Sequence, residues 1–235
     1  MSMEGTRPMT MSDIEWAVGL LARRRAALVP HAPVYWRPSA DALERHRAYL
    51  AYLIGDGQGF GFRTDEALMI AARGPHGWTV DDAWAPPDRW EYDGLVLWTR
   101  TAAKFGTAEL VRFVCPVFEP ERASFARNRG FVLANSWWHA TIETSTSPGD
   151  RVTEPRVRGS RATLVPAPPV YDPGGPILFL QEVHDLAAID RSRKAAFRCG
   201  SPLVVVDQPA GRDELARTLA ESGFTRHCDF LVRTA

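Results

Sequence analysis

The stretch 104–117 (KFGTAELVRFVCPV), continued at 123–131 by ASFARNRGF, decides the fold because its pattern occurs twice in the chain. The second occurrence spans 197–209 (FRCGSPLVVVDQP) and 215–224 (LARTLAESGF). Each occurrence reads as a helix end, a glycine, an apolar strand, a second helix, a Gly-Phe pair and a final strand. The pattern predicts two copies of one supersecondary unit that share element order rather than residue identity. A chance recurrence, which α/β chains often show, is the alternative.

Two helices and a set of antiparallel strands are predicted ahead of the first copy. Apolar residues recur at helical spacing over 14–28 and again over 43–54. Polar turns then separate three short runs at 59–62, 67–70 and 78–84, and this spacing is typical of strands joined by tight turns.

A stretch rich in proline and glycine divides the chain. It covers residues 144–175, and the only regular element expected there is a short strand near 162–165. We therefore predict one domain at 12–143, a linker at 144–175, and a C-terminal unit at 176–235 that contains the second copy.

Composition and charge exclude several classes of protein. The chain has 235 residues, of which 45% are hydrophobic and 24% charged, the balance of a folded globular protein rather than a disordered one. The 28 basic and 28 acidic side chains cancel, so no overall field attracts nucleic acid. The three cysteines lack metal-ligand spacing, and no segment has the character of a signal peptide or a membrane span. We expect a cytoplasmic protein with no metal and with neither a nucleic-acid nor a membrane partner.

The element order and the Gly-Phe pairs carry a resemblance to a known family. The stretch 125–131 (FARNRGF) resembles the late helix of the GNAT superfamily of acyl-CoA-dependent N-acyltransferases, and 219–224 (LAESGF) resembles a second copy of it. The resemblance covers 12–142 as a complete domain and 176–235 as half of another. It implies an α/β fold (α+β in some schemes), with a mixed, mostly antiparallel sheet flanked by helices and followed by a half-GNAT repeat. A monomer with pseudo-dimeric halves or a homodimer follows from this repeat.

The resemblance also implies a site for acetyl-CoA as the acyl donor. In this family an Arg/Gln-x-x-Gly-x-Gly/Ala loop opens a helix and binds the diphosphate through backbone N–H groups. The matching stretch is 89–94 (RWEYDG), in which Arg89 and Gly94 fit the pattern and Tyr92 takes the place of the first glycine. The implied donor contacts are the loop residues Arg89, Trp90 and Gly94 and the strand edge Trp84, Ala85 and Pro86, which pairs with pantetheine amides.

Asp81 and Asp82 are the candidate general bases. They are consecutive on a predicted strand, so alternation sends their side chains to opposite faces and one of them faces the acceptor cleft or the core. A carboxylate held inward among Trp78 and Trp84 has a raised pKa, which suits a group that takes a proton from an amine. A solvated strand end is the alternative interpretation of this acidic pair.

The remaining roles are assigned by position. The place of the family's tyrosine general acid is taken by Ala126, and Tyr92 is the substitute closest by position. Aromatic residues are expected to line the acceptor side, with a histidine as a further contact or base: Trp78, Trp84, Trp137, Trp138 and His139. The resemblance thus implies transfer of an acetyl or short acyl group from acyl-CoA to an amine of a small molecule. The alternative is a GNAT scaffold that has lost CoA binding and serves as a ligand-binding or partner-binding module.

Overall fold

The computed structural model describes residues 5–106, 108–143 and 153–234. Its helices are α1 (Ile14–Leu28), α2 (Ala42–Gly55), α3 (Leu95–Ala102), α4 (Pro120–Asn128), α5 (Ala188–Cys199) and α6 (Asp213–Glu221). Its strands are β1 (Arg7–Pro8), β2 (Gly59–Arg63), β3 (Leu68–Gly74), β4 (Gly77–Trp84), β5 (Leu110–Pro116), β6 (Val132–Thr141), β7 (Arg161–Val165), β8 (Ile177–Gln181), β9 (Leu203–Pro209) and β10 (Thr225–Thr234). This order confirms the helix–strand–helix–strand pattern predicted for both copies.

The chain folds into two compact units. Unit 1 consists of the described residues within Met1–Ala27, Leu43–Ala134 and Asp229–Ala235, and unit 2 of those within Leu28–Ala42 and Asn135–Cys228. The division into domains at 12–143, 144–175 and 176–235 stays a prediction.

The sheet of unit 1 runs in the order β1-β2-β3-β4-β5, with the second half of β10 beside β5. Neighbours from β1 to β4 are antiparallel, and β4 and β5 are parallel. The apolar faces of α1 and α2 cover one side of this sheet through a core that includes Leu21, Leu50 and Ile70. The opposite side packs against α3 and α4 around Phe113 and Phe125. The fold class predicted from the sequence, a mixed sheet flanked by helices, is confirmed.

The two parallel strands of unit 1 separate part of the way along their length. Their pairing ends at Val80 and Phe113, although β4 continues to Trp84 and β5 to Pro116. The backbone of β4 beyond Val80 therefore has an edge that β5 does not cover.

The sheet of unit 2 runs in the order β6-β9-β8-β7, with the first half of β10 beside β6. The strands β8 and β9 are parallel, whereas β7 and β6 pair antiparallel with their neighbours. The short strand predicted near 162–165 is confirmed as β7, and residues 144–152 of the predicted linker lie outside the described residues. The helix α5 ends at Gly200, whose φ of 64° is the left-handed cap conformation that glycine adopts without strain. No helix in the described part of the chain is long and apolar enough to cross a bilayer.

Candidate active site

A β-bulge in β4 places both candidate bases on one face of the sheet. The register with β3 shifts by one residue there, and the flanking pairs are Ala71–Val80 and Met69–Ala83. Val80 and Ala83 are both buried in the core beneath α3 and α4, so Asp81 and Asp82 between them share the face covered by α1 and α2. The expectation that the two aspartates point to opposite faces is wrong, because the extra residue of a bulge interrupts the alternation of a strand.

A chain of hydrogen bonds from α1 and α2 holds Asp82. Arg25 Nη1 lies 2.5 Å from His46 Nδ1, and His46 Nε2 lies 3.1 Å from Asp82 Oδ2. A guanidinium only donates hydrogen bonds, so His46 Nδ1 is the acceptor and the Nε2 nitrogen carries the proton that is donated to Asp82. His46 thus fixes the orientation of the Asp82 carboxylate.

A second ionic group lies at the start of α4. Arg24 Nε and Nη2 contact the two carboxylate oxygens of Glu119 at 2.6 and 3.0 Å. The fully buried Arg122 contacts the same carboxylate at 3.4 Å and donates from its two terminal nitrogens to the carbonyl oxygens of Ala83 and Asp81, each at 2.7 Å. The uncovered carbonyl groups of β4 are therefore partly satisfied by a side chain of α4.

These surroundings separate the pKa values of the two aspartates. Asp81 is exposed to solvent, and partial desolvation, followed by the charge of Asp82, raises its pKa above the ordinary value. Burial alone would raise the pKa of Asp82 too, but His46, Arg24 and Arg25 more than offset it, so the pKa of Asp82 is lowered. Two neighbouring carboxyl groups with pKa values moved apart are typical of sites in which one accepts a proton while the other stays ionised.

Tyr49 is a further residue of this site that the sequence did not reveal. It lies on α2 one turn after His46, and the two rings stack with their centroids 6.4 Å apart. Burial, followed by the charges of Asp82 and Asp81, raises the pKa of Tyr49 to about 12, so its hydroxyl stays protonated at neutral pH. The spacing of three residues, which places His46 and Tyr49 on adjacent turns of the predicted helix, was the available signal.

The predicted diphosphate loop has a helical conformation. A short 3-10 helix (Pro87–Arg89) and a π-helix (Trp90–Gly94) run directly into α3. The dihedral angles of Gly94 are helical (φ −59°, ψ −39°), so its backbone is in an ordinary helical geometry rather than a glycine-specific turn. The first N–H groups of a helical segment have no partner within the helix, so a diphosphate here would meet a helix start rather than the glycine loop of the family.

The other predicted donor contacts are placed as follows. Trp84 packs beside the α1–α2 core, Ala85 is buried on the opposite side, and the carbonyl of Pro86 accepts the backbone N–H of Arg89. The ring of Tyr92 is 51% exposed, and in the described part of the chain neither a hydrogen bond nor an ion pair joins it to Asp81 or Asp82.

The aromatic residues predicted for the acceptor side are divided between the two units. Trp78 is buried on the face of β4 opposite the aspartates, and its indole Nε1 donates to Glu109 Oε2 at 2.8 Å. Trp137, Trp138 and His139 belong to unit 2. The structure therefore brings Asp81, Asp82 and Trp84 to one face and does not place Trp78 there.

In unit 2, alternation along β6 separates the adjacent tryptophans. Trp138 packs against the core beneath α5 and α6, whereas Trp137 and His139 face an aromatic group on the other side. His227 lies in this group, 5.1 Å from His139 and 3.9 Å from Tyr35 between ring centroids. His227 is fully buried, none of the described residues hydrogen-bonds either of its ring nitrogens, and desolvation holds its pKa well below the ordinary value.

Comparison with solved structures shows the fold of the whole chain. A protein from Thermoplasma acidophilum described as an acetyltransferase candidate superposes with a TM-score of 0.56 and 13% identity, over 98% of this chain and 99% of that one. A GCN5-related N-acetyltransferase from Sphaerobacter thermophilus gives a TM-score of 0.50 and 14% identity, over 97% and 95% of the two chains. No protein-family model matches the chain, and no curated protein matches it in sequence.

The chain thus has the fold of the GCN5-related N-acetyltransferases, the GNAT superfamily, as its element order and Gly-Phe pairs predicted. Within that fold, the described residues of unit 1 present a pair of carboxylates at the bulge of β4.

Proposed function

We propose that the protein is an N-acyltransferase that moves an acetyl or short acyl group from a thioester to an amine of a small molecule. The observation that carries the proposal is the pair of carboxylates at the bulge of β4, in which Asp81 is exposed and Asp82 is held by His46. The acetyltransferase fold supports the same reaction class.

Asp81 is proposed to accept the proton of the amine. An amine enters such a site as an ammonium ion, which the two carboxylates attract, and it becomes a nucleophile only after losing a proton. A base with a raised pKa takes that proton more readily than an ordinary aspartate does at the same pH. Asp82, held by His46, stays ionised and keeps the local field favourable for the cation.

The residues of unit 1 fit the acyl end of acyl-CoA and do not fit its diphosphate. An acyl thioester supplies an electrophilic carbonyl and a thiolate leaving group when it is bound. The separation of β4 from β5 leaves a strand edge next to Asp81 that suits the acyl end, although Arg122 already occupies two carbonyls there. The helical stretch 90–94 does not fit the diphosphate, so no step is assigned to that part of the donor.

The test is thiol release from acetyl-CoA at millimolar concentration with a panel of small amines. The three cysteines of the chain are buried, so a thiol reagent gives little background. Asp81→Asn should lower kcat/KM by about 10²–10⁴-fold, the usual contribution of a general base. The matched control is Asp56→Asn, because Asp56 is an exposed aspartate beyond the end of α2. Full activity of Asp81→Asn would contradict the assignment of the base.

A second candidate function is binding of an amine ligand without acyl transfer. The specific observation in its favour is that a helical turn at 90–94 without free positive charge stands in place of the family's glycine loop. Calorimetry with the same amine panel distinguishes the two functions: saturable binding that Asp81→Asn weakens, with no turnover from any thioester, would support the binding module.

A further inference from the structure

The segment that would grip the nucleotide end of the donor is part of a helix that its own packing requires. Trp90 is buried against Phe125, with ring centroids 5.5 Å apart. A Cβ atom on Gly94 would lie 2.8 Å from Trp90 Cε3. Gly94 is therefore explained by the close approach of an indole within the helix, which is a different use of glycine from the open loop of a phosphate site.

The charged side chains of this segment are committed to partners within unit 1. Arg89, the cation expected to meet a diphosphate, contacts Asp93 at 2.9 Å and Glu66 at 3.8 Å. Glu91 accepts hydrogen bonds from Asn128 at 2.9 Å and from Arg129 at 3.2 Å. The contacts of Glu91 tie the segment to the end of α4, and the charges of Arg89 and Arg129 are balanced by those of Asp93 and Glu91.

A helix start whose one cation is already neutralised gives a diphosphate little to compensate for the loss of its hydration. Moving an anion out of water is unfavourable unless the protein supplies compensating donors or positive charge. Within 89–94 the one basic side chain, Arg89, is paired with Asp93, and Glu91 is paired with Arg129, so the segment offers a ligand no uncompensated positive charge. Removal of the nucleotide half of the donor should therefore cost this protein little binding energy.

We propose that the acyl donor is recognised only through its acyl and pantetheine end, so that S-acetyl-pantetheine serves the protein as well as acetyl-CoA. This inference rests on the proposed acyl transfer at Asp81. The atoms balance for either donor: the C–N bond forms as the C–S bond breaks, the sulfur leaves as a thiolate, and the amine proton goes to Asp81.

The decisive experiment compares kcat/KM for acetyl-CoA and S-acetyl-pantetheine with the same amine and the unmodified protein. The ratio should lie within about threefold of unity and should not change with ionic strength, because a charge-based preference would weaken with salt. A ratio above about thirty in favour of acetyl-CoA would overturn the inference while leaving acyl transfer intact. Absence of turnover with both donors would overturn acyl transfer and the inference with it.

Two further measurements separate recognition from catalysis. Adenosine 3′-phosphate 5′-diphosphate, which carries the diphosphate and the 3′-phosphate of coenzyme A without the pantetheine thioester, should show no saturable binding by calorimetry at about 5 mM, and micromolar binding would overturn the inference. Arg89→Gln should leave the donor ratio unchanged because Asp93 already engages the guanidinium. A tenfold fall in the ratio on this substitution would show that Arg89 contacts the nucleotide.

Discussion

Asp82→Asn should move the acid limb of the activity profile to lower pH without removing the proton acceptor. The asparagine keeps an oxygen that accepts the hydrogen bond from His46 Nε2, so the local geometry is maintained. What disappears is the negative charge beside Asp81, which is the second cause of the raised pKa of that group after desolvation.

The size of the shift follows from the charges that remain. A like charge within a few ångströms changes a carboxyl pKa by about 1–3 units. Arg24 and Arg122 remain in the variant and both lower the pKa of Asp81, while desolvation still raises it. We therefore expect a fall of about 1–2 units, which corresponds to roughly 1.4–2.7 kcal/mol in the relative stability of the two protonation states.

The sign of the effect is fixed by the role of a base. Asp81 acts when deprotonated, so kcat/KM falls as the pH drops through its pKa, and lowering that pKa extends activity toward acid. The assay is kcat/KM from about pH 4.5 to 8.5 with one amine, whose own ionisation is common to both proteins. Asp56→Asn should leave the limb in place. An acid limb of kcat/KM that stays in place or moves to higher pH in Asp82→Asn would refute the reasoning. An inactive Asp82→Asn together with an active Asp81→Asn would refute it as well.

Three stability predictions follow from the packing. Gly94→Ala should destabilise the protein by about 1–3 kcal/mol because the added methyl group overpacks the core at Trp90. Gly19→Ala, in the open middle of α1, should stabilise it by about 0.5–1 kcal/mol. Urea titrations that reverse this order would contradict the close packing of Gly94. His227→Phe should flatten the dependence of the free energy of unfolding on acid pH. Because the pKa of His227 is lowered in the folded state, its contribution is complete when the pH is above the ordinary histidine pKa. As the pH drops below that value, the free energy of unfolding decreases by up to about 1.4 kcal/mol per pH unit. The exposed His184→Gln should keep the full slope. Arg122→Met should cost about 1–3 kcal/mol because the carbonyl oxygens of Asp81 and Ala83 lose their buried donor while Arg24 still pairs with Glu119. A melting temperature equal to that of the unmodified protein would show that these hydrogen bonds contribute nothing.

Most elements of the fold were predictable because local signals agreed with the tertiary structure. The helical spacing of apolar residues over 14–28 coincides with α1, whose inner face is buried by tertiary packing. The Gly-Phe pair at 130–131 marks the end of α4 because Gly130 adopts a positive φ of 81° and Phe131 returns to the core.

The candidate site was only partly predictable, because its members come from elements distant in sequence. Asp81 and Asp82 could be chosen for their chemistry, but Arg24 and His46 join them through the packing of α1 and α2 on β4. Nothing in the spacing of charges along the chain indicates that Glu119 would pair with a residue 95 positions earlier. Long-range ion pairs of this kind depend on the fold and have no local signature.

The two features that matter most for function are both places where a regular period is broken by one residue. The bulge at Asp81 and Asp82 inserts a residue into a strand, and the π-turn at Trp90–Gly94 does the same in a helix. Period-based reasoning fails at such insertions: in β4 it separated two side chains that share a face, and at 90–94 the family pattern suggested a loop where the backbone is helical. The first irregularity creates the paired carboxylates, and the second puts a helical turn in place of the family's glycine loop a few residues later. A protein with the bulge in β4 but without the π-turn would be expected to need the nucleotide of its donor. The ratio of kcat/KM for the two donors therefore tests the π-turn, and the pH profile of Asp82→Asn tests the bulge.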